Sequence, residues 1–216
     1  MKYEMIVFDW DGTILDSAGA IVRAIQAACR DLGVAVPSDR QASHVIGLGL
    51  LDAMRHAVPD LAPEKHHEMA DRYRFHYLSG DHELTIFNGI REMLERLQSA
   101  GHILTVATGK SRLGLDRALE HSGLARLFQA SRCADECHSK PHPQMLEELM
   151  AEFAVAPGAT LMIGDTSHDL LMARNAGVDS LAVTYGAHTH DHLIEFQPLA
   201  CLHTVPELDQ WLARCA

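Results

Sequence analysis

Short, nearly continuous apolar runs recur along the chain at Met5-Phe8, Ile103-Ala107, Thr160-Ile163 and Ser180-Thr184. Each is rich in β-branched or other large apolar residues and does not alternate with polar ones, which predicts strands buried on both faces. Between them, helical periodicity covers Leu113 to Ser122, Pro143 to Phe153 and Ser167 to Ala176, and Gly123 and Gly177 stand where helices commonly stop. Strand and helix alternating at this length predict an α/β core: a Rossmann-like, doubly wound parallel sheet covered by helices on both sides.

Residues 17 to 84 break that rhythm. Ser17 is placed to cap a helix whose face is marked by Ile21, Ala24, Ile25, Ala28 and Leu32 at spacings of three, four and seven. Asp39 to His56 and Pro63 to Leu78 predict further helices, divided by Pro59 and Pro63. No buried strand is expected before Thr85. The division that follows is a core of residues 1 to 15 and 85 to 216, with a helical cap of residues 16 to 84 inserted between the first two core strands.

Composition narrows the partners. The chain has 216 residues, 47% of them hydrophobic and 22% charged, which excludes disordered, collagen-like and coiled-coil readings. Its 29 acidic and 18 basic residues give a formal charge of -11, which repels a phosphate backbone unless cations gather on one face, and no such cluster is seen. Nucleic acid is therefore not expected as a partner. A small phosphate ester would need local groups or a bound cation to capture it. Five scattered cysteines, Cys29, Cys133, Cys137, Cys201 and Cys215, suit a reducing compartment. No apolar run approaches the ~18 residues of a membrane span, and Met5-Phe8 is too short for a signal-peptide core. The expected setting is cytoplasmic, as a monomer or homodimer.

Four short motifs carry the candidate chemistry. Asp9 and Asp11 stand two residues apart at the end of the first apolar run, where residues i and i+2 of extended chain face the same side. Gly12 permits a turn at once, so a simple Asp-Gly hairpin signal is the competing reading. Thr108-Gly109-Lys110 ends the second run before a helix, where a hydroxyl and free N–H groups suit a phosphate oxygen, although Thr108 and Ser111 could equally be ordinary caps. A P-loop is rejected because Leu104 stands where its first Gly is required. Lys140 precedes Pro141, and Asp165 and Asp169 lie around the start of a helix after the third run, where Asp165 or Ser167 could be a cap. Asp9, Thr108 and Asp165 all fall just past the carboxyl ends of core strands, where open parallel sheets bind ligands. Carboxylates gathered there repel one another unless Lys140 and a divalent ion neutralise them, and oxygen-only ligands suit Mg²⁺.

Asp9-x-Asp11-Gly12-Thr13, Thr108-Gly109, Lys140-Pro141 and Gly164-Asp165-x-x-x-Asp169, in this order and spacing, resemble the haloacid dehalogenase superfamily of aspartate-nucleophile phosphohydrolases. The resemblance covers nearly the whole chain. Asp16-Ser17 and Ile46-Gly47-Leu48-Gly49 look most like its phosphoglycolate phosphatase-like branch. It implies that Asp9 attacks phosphorus to form an aspartyl-phosphate and that Asp11 protonates the leaving alcohol, then deprotonates water. It further implies that Thr108, with Gly109, holds the phosphoryl group while Lys140 and Mg²⁺ neutralise it. The implied metal ligands are Asp9, the Asp11 carbonyl and Asp165, with Asp169 either reaching the metal through water or orienting Lys140. The implied activity is Mg²⁺-dependent hydrolysis of a small phosphorylated metabolite, a phosphoglycolate-like acid being favoured. Alternatives are a phosphohexomutase, a sugar-phosphate phosphatase, a pyrophosphatase or a non-catalytic phosphate-binding protein. A dehalogenase needs no proton-shuttling carboxylate two residues after the nucleophile, so Asp11 argues against it.

Other features read more plainly. Gly47-Leu48-Gly49 lacks a third Gly and a preceding strand, so it is read as a cap loop that closes over substrate rather than a dinucleotide fingerprint. The alternating His188, His190 and His192 are expected on polar loop or helix surface, because no Cys or carboxylate set completes a tetrahedral site. Arg55, Arg72 and Arg74 read as solvated helix faces.

Overall fold

The computed structural model describes residues 2–215. Strand β1 (Met5–Phe8) is followed by helices α1 (Ala18–Asp31), α2 (Asp39–His44), α3 (Leu50–Ala57), α4 (His66–Leu78) and α5 (Ile90–Ser99). The chain continues through β2 (Ile103–Thr108), α6 (Arg112–Ser122), β3 (Ala130–Cys133), α7 (Gln144–Phe153), β4 (Thr160–Gly164) and α8 (Ser167–Asn175). It ends with β5 (Asp179–Val183), α9 (His190–Leu193), β6 (Cys201–Leu202) and α10 (Val205–Cys215). Among the described residues the sheet is six-stranded, in the order β3-β2-β1-β4-β5-β6, and its paired neighbours are parallel. The core is Rossmann-like, and strand order reverses beside β1, where the crevice at the carboxyl ends of the strands binds ligands in such sheets.

Both faces of β1 are buried, and the period-2 alternation of a strand divides them. Ile6 and Phe8 pack with Ile90, Met93 and Leu94 of α5 and Leu208 and Leu212 of α10. Met5 and Val7 pack with Met145, Leu146 and Leu149 of α7 and Met172 of α8. Helices α1 to α4 bury a further cluster of their own, including Ile25, Ala28, Ile46, Met54 and Met69. The chain enters and leaves these helices through adjacent connections: the Asp16 N–H donates to the Thr85 carbonyl at 3.0 Å and the Phe87 N–H to that of Ile14 at 3.0 Å.

Several local expectations are corrected. The stretch 39 to 56 is two helices, because Gly47 (φ +92°) turns the backbone into the left-handed region between them. Helix α4 begins at His66, after a 3₁₀ turn at Pro63–Lys65. Ser17 occupies the N-cap position of α1 without capping it; its hydroxyl donates to Asp11 Oδ1 at 2.6 Å. Strands β3 and β6 have no counterpart in the expected set, since both are sheet edges with polar or half-buried residues and carry no apolar run.

Candidate active site

The carboxyl ends of β1, β2 and β4 bring Asp9, Thr108 and Asp165 together, as parallel register requires: Phe8 pairs with Val106 on one side and Ile163 on the other. Asp9 is buried, and Lys140 Nζ donates to its Oδ1 at 2.6 Å and to Asp169 Oδ1 at 2.6 Å. Asp169 lies in the first turn of α8, where its Oδ2 accepts from the Thr166 N–H and hydroxyl in a capping box. The cap of α8 is thus Thr166, not Asp165 or Ser167. Both Asp169 oxygens are thus engaged, one by Lys140 and the other by Thr166. Asp165 accepts from the Thr13 hydroxyl at 2.9 Å and the Ala187 N–H at 2.7 Å. Gly12 (φ +82°) turns the chain against it, and a Cβ there would run into the Asp165 carboxylate.

Of three buried carboxylates, two contact Lys140 and the third, Asp165, has no cation against it among the described residues. Burial pushes the Asp9 carboxyl up to about 7, with Asp169 adding to the rise and Lys140 opposing it. Burial, then Asp9 and Asp169, push Asp165 well above the ordinary range. Burial alone would lower Lys140, but Asp169 and Asp9 overrule it and hold the ammonium above its usual value. Asp9 Oδ2 is buried without a hydrogen-bond partner. Carboxylate oxygens of Asp9, Asp165 and Asp169 lie within 4.8 Å of one another. An orphaned anionic oxygen among hard oxygen donors fits a divalent ion such as Mg²⁺.

A pH dependence follows. An unfolded Asp9 ionises near 3.8, whereas the native carboxyl keeps its proton to about 7, so between these values the native state binds more protons than the unfolded one. Stability of the metal-free protein therefore falls as pH rises through that window. The gain in melting temperature on adding Mg²⁺ is expected to be larger at pH 8 than at pH 5. Equal gains at both would remove Asp9 from the ion's site.

Above the carboxylates lies a cavity of about 870 Å³, whose wall includes Asp9, Asp11, Gly47, Gly49, Thr108 and Gly109. Lys140 sits behind Asp9 with its side chain fully buried. Thr108 is buried at the end of β2, and its hydroxyl accepts from the Lys110 N–H at 3.2 Å. Ser111 does cap α6, by accepting from the Gly114 N–H. The insertion closes directly on this floor: a Cβ on Gly109 would come 2.5 Å from the Leu48 carbonyl oxygen, and the Gly49 N–H donates to Ser139 Oγ at 2.8 Å. Arg55 and Arg74 also line the cavity, although each is paired to an acidic neighbour three residues away.

Lys110 stands in the second motif, but the motif reading gives it no role. Lys110 Nζ pairs with Asp11 Oδ2 at 3.1 Å and donates to the Tyr77 hydroxyl of α4 at 3.1 Å. Its only signal was the Gly109-Lys110-Ser111 string, which serves here without a P-loop.

Residues 6–183 match the family model described as haloacid dehalogenase-like hydrolase. The chain belongs to that family. It is a hydrolase of the phosphoglycolate phosphatase-like branch. It is 32% identical over 204 residues to the phosphoglycolate phosphatase of Aliivibrio fischeri, covering 90% of each chain. It is 34% identical over 210 residues to a Dickeya dadantii protein described as "probable phosphatase IndB", covering 94% of this chain and 91% of that one. A haloacid dehalogenase-like hydrolase structure from Streptococcus pneumoniae superposes with a TM-score of 0.84 at 26% identity, covering 98% of this chain and 99% of the other. Among the described residues of this hydrolase, no helix is long and apolar enough to cross a membrane.

Proposed function

We propose that the protein is a Mg²⁺-dependent phosphomonoester hydrolase that works through an aspartyl-phosphate on a small phosphorylated metabolite. The observation that carries this reading is Asp9 itself. It is a buried carboxylate on the cavity wall, fixed by Lys140 through one oxygen and left unpartnered at the other, with a second carboxylate two residues on. Asp9, the Asp11 carbonyl and Asp165 would hold the ion, with Asp169 orienting Lys140. Bound there, the ion supplies positive charge beside the transferring phosphoryl group.

Asp9 attacks phosphorus, dividing one hard displacement into two easier ones. The hydroxyl of Thr108 and the backbone at Gly109 bind phosphoryl oxygens, while Lys140 holds Asp9 in line and offsets the growing negative charge. Asp11 gives a proton to the leaving alkoxide and later takes one from the water that opens the acyl-phosphate. Here Asp11 is held by two donors, Ser17 and Lys110, an arrangement that serves the second half-reaction, in which it acts as base.

Residues 16 to 84 form the cap, with the paired connections at Asp16–Thr85 and Ile14–Phe87 as its hinge, and Gly47 and Gly49 carry the loop that closes on substrate. A phosphoglycolate-like acid is the favoured substrate, whose carboxylate Arg55 or Arg74 would bind by giving up its exposed pair with Asp52 or Asp71. The volume of the cavity, well within the range that holds drug-sized ligands, supports a second reading, a bulkier sugar or nucleoside phosphate. A panel of phosphate esters assayed with Mg²⁺, run on the wild type and on Gly109→Ala, tests both. The added methyl pushes the Leu48 carbonyl away, so turnover of the preferred ester is expected to fall at least tenfold and that of a small aryl phosphate much less. Hydrolysis of no ester in the panel would sink the phosphatase reading; equal loss of both activities would trace the effect to Gly109's own contact with the phosphoryl group and remove the loop from substrate selection.

A further inference from the structure

The region where α2 meets the core holds a second group of ligating side chains, built from imidazoles. His44, the last residue of α2, lies 5.1 Å from His188 and 5.5 Å from His192 between ring centroids, and His188 and His192 are 5.3 Å apart. Ring nitrogens of the three lie within 4.8 Å of one another. His188 is buried, with only 5% of its surface exposed, and its Nε2 has no hydrogen-bond partner; His192 Nε2 is likewise buried and unpartnered. Two buried imidazole nitrogens without partners, on rings whose centroids are 5.3 Å apart, are costly in a folded protein and need an explanation.

We propose that His44, His188 and His192 form a binding site for a first-row transition ion of the Zn²⁺ class, distinct from the oxygen site at Asp9. Three imidazoles and an open position suit Zn²⁺, Co²⁺ or Ni²⁺ and are poor ligands for Mg²⁺. The surroundings have the features expected around such a site. Glu195 Oε2 stands 3.7 Å from His192 Nδ1, beyond hydrogen-bond distance, so a small movement of that side chain would be needed for the carboxylate to take the ring proton and leave Nε2 free for an ion. His168 ties the two sides together, since its Nε2 donates to the His44 carbonyl at 2.8 Å.

Loading rearranges two contacts. His44 stacks parallel to His188, within 9°, so its exposed ring turns edge-on to bring the nitrogens to the roughly 3.4 Å separation of two ligands on one tetrahedral ion. The Ser167 N–H donates to His188 Nδ1 at 3.0 Å, which puts the ring proton on Nε2. For Nε2 to ligate, that proton moves to Nδ1 and the Ser167 contact is given up. Ser167 opens α8, where a backbone N–H has no partner within the helix; the residue is buried, so giving up this contact is a cost that the ion's three nitrogen bonds have to offset. Because His44 belongs to the helical insertion and the other two to the core, the ion clamps one onto the other.

The test is a titration of the full chain with Co²⁺ or Zn²⁺ in saturating Mg²⁺, read by calorimetry, by the visible spectrum of nitrogen-bound Co²⁺ and by the melting temperature. One equivalent is expected to bind and raise the melting temperature. The affinity should fall at least tenfold in His44→Ala and in His192→Ala and stay unchanged in Asp9→Asn. Should His188→Ala fail to fold, His44→Ala decides alone, since that side chain is exposed. Full affinity in His44→Ala would place the ion elsewhere, for instance near Cys137, His138 and His142. Loss in Asp9→Asn would place it among the carboxylates. Either result, or no binding beyond Mg²⁺, overturns the assignment.

Discussion

Replacing Asp9 with Asn is expected to cut turnover of every phosphate ester by at least about 10⁴-fold, a loss on the scale seen when a covalent nucleophile is removed. The amide is nearly isosteric with the carboxylate, so packing at the end of β1 changes little. Its oxygen can still accept from Lys140, but the group cannot form the acyl-phosphate. The fold survives because Lys140 keeps its pairing with Asp169 and because the substitution takes one carboxylate out of a cluster with more anions than cations. The melting temperature of the metal-free variant should therefore stay within a few degrees of the wild type, or rise. Trapping by beryllium fluoride, which mimics the phosphorylated aspartate, should disappear together with turnover. Residual activity above about a hundredth of the wild type, in protein free of wild-type contamination, would remove Asp9 from the nucleophile's role.

Some of this site is legible in the sequence because a single physical rule places it. Strands buried on both faces appear as apolar runs, parallel strands end together, and the polar residues that follow Phe8, Ala107 and Gly164 have to meet. Lys140 joins them because Pro141 and the start of α7 hold it at the same end of the sheet. What escapes the sequence depends on long-range packing. β3 shows no apolar run because an edge strand needs none, and β6 is only two residues long. Ser17 looks like a cap because caps are local, whereas its partner Asp11 is fixed by the turn at Gly12. The histidines mislead for the same reason. His188, His190 and His192 read as polar surface, but His188 is buried just before α9 begins at His190, and its ring centroid lies 5.3 Å from that of His192. Their third companion, His44, is supplied from across the fold.

Lys140 carries the largest expected effect on stability. Its ammonium lies between Asp9 and Asp169 with no exposed surface, while Asp165 is also fully buried. Truncation to Met keeps most of the apolar stem and removes the only cation in direct contact with these carboxylates among the described residues. Breaking one side of a buried pair costs roughly 3–5 kcal/mol, because the remaining charges stay desolvated. For a chain of this size that lowers the melting temperature by roughly 10 °C. Two further measurements separate charge from shape. Adding Asp169→Asn to Lys140→Met removes one of the stranded anions and should recover part of the loss, a coupling that a purely steric role would not show. Saturating Mg²⁺ should stabilise Lys140→Met by more than it stabilises the wild type, since the ion then supplies the only positive charge in the cluster. Turnover should remain low even where stability returns, because Lys140 also holds Asp9 in line for attack. A Lys140→Met protein as stable as the wild type without metal would show that these carboxylates are already neutralised by protons, with Lys140 contributing little to the fold.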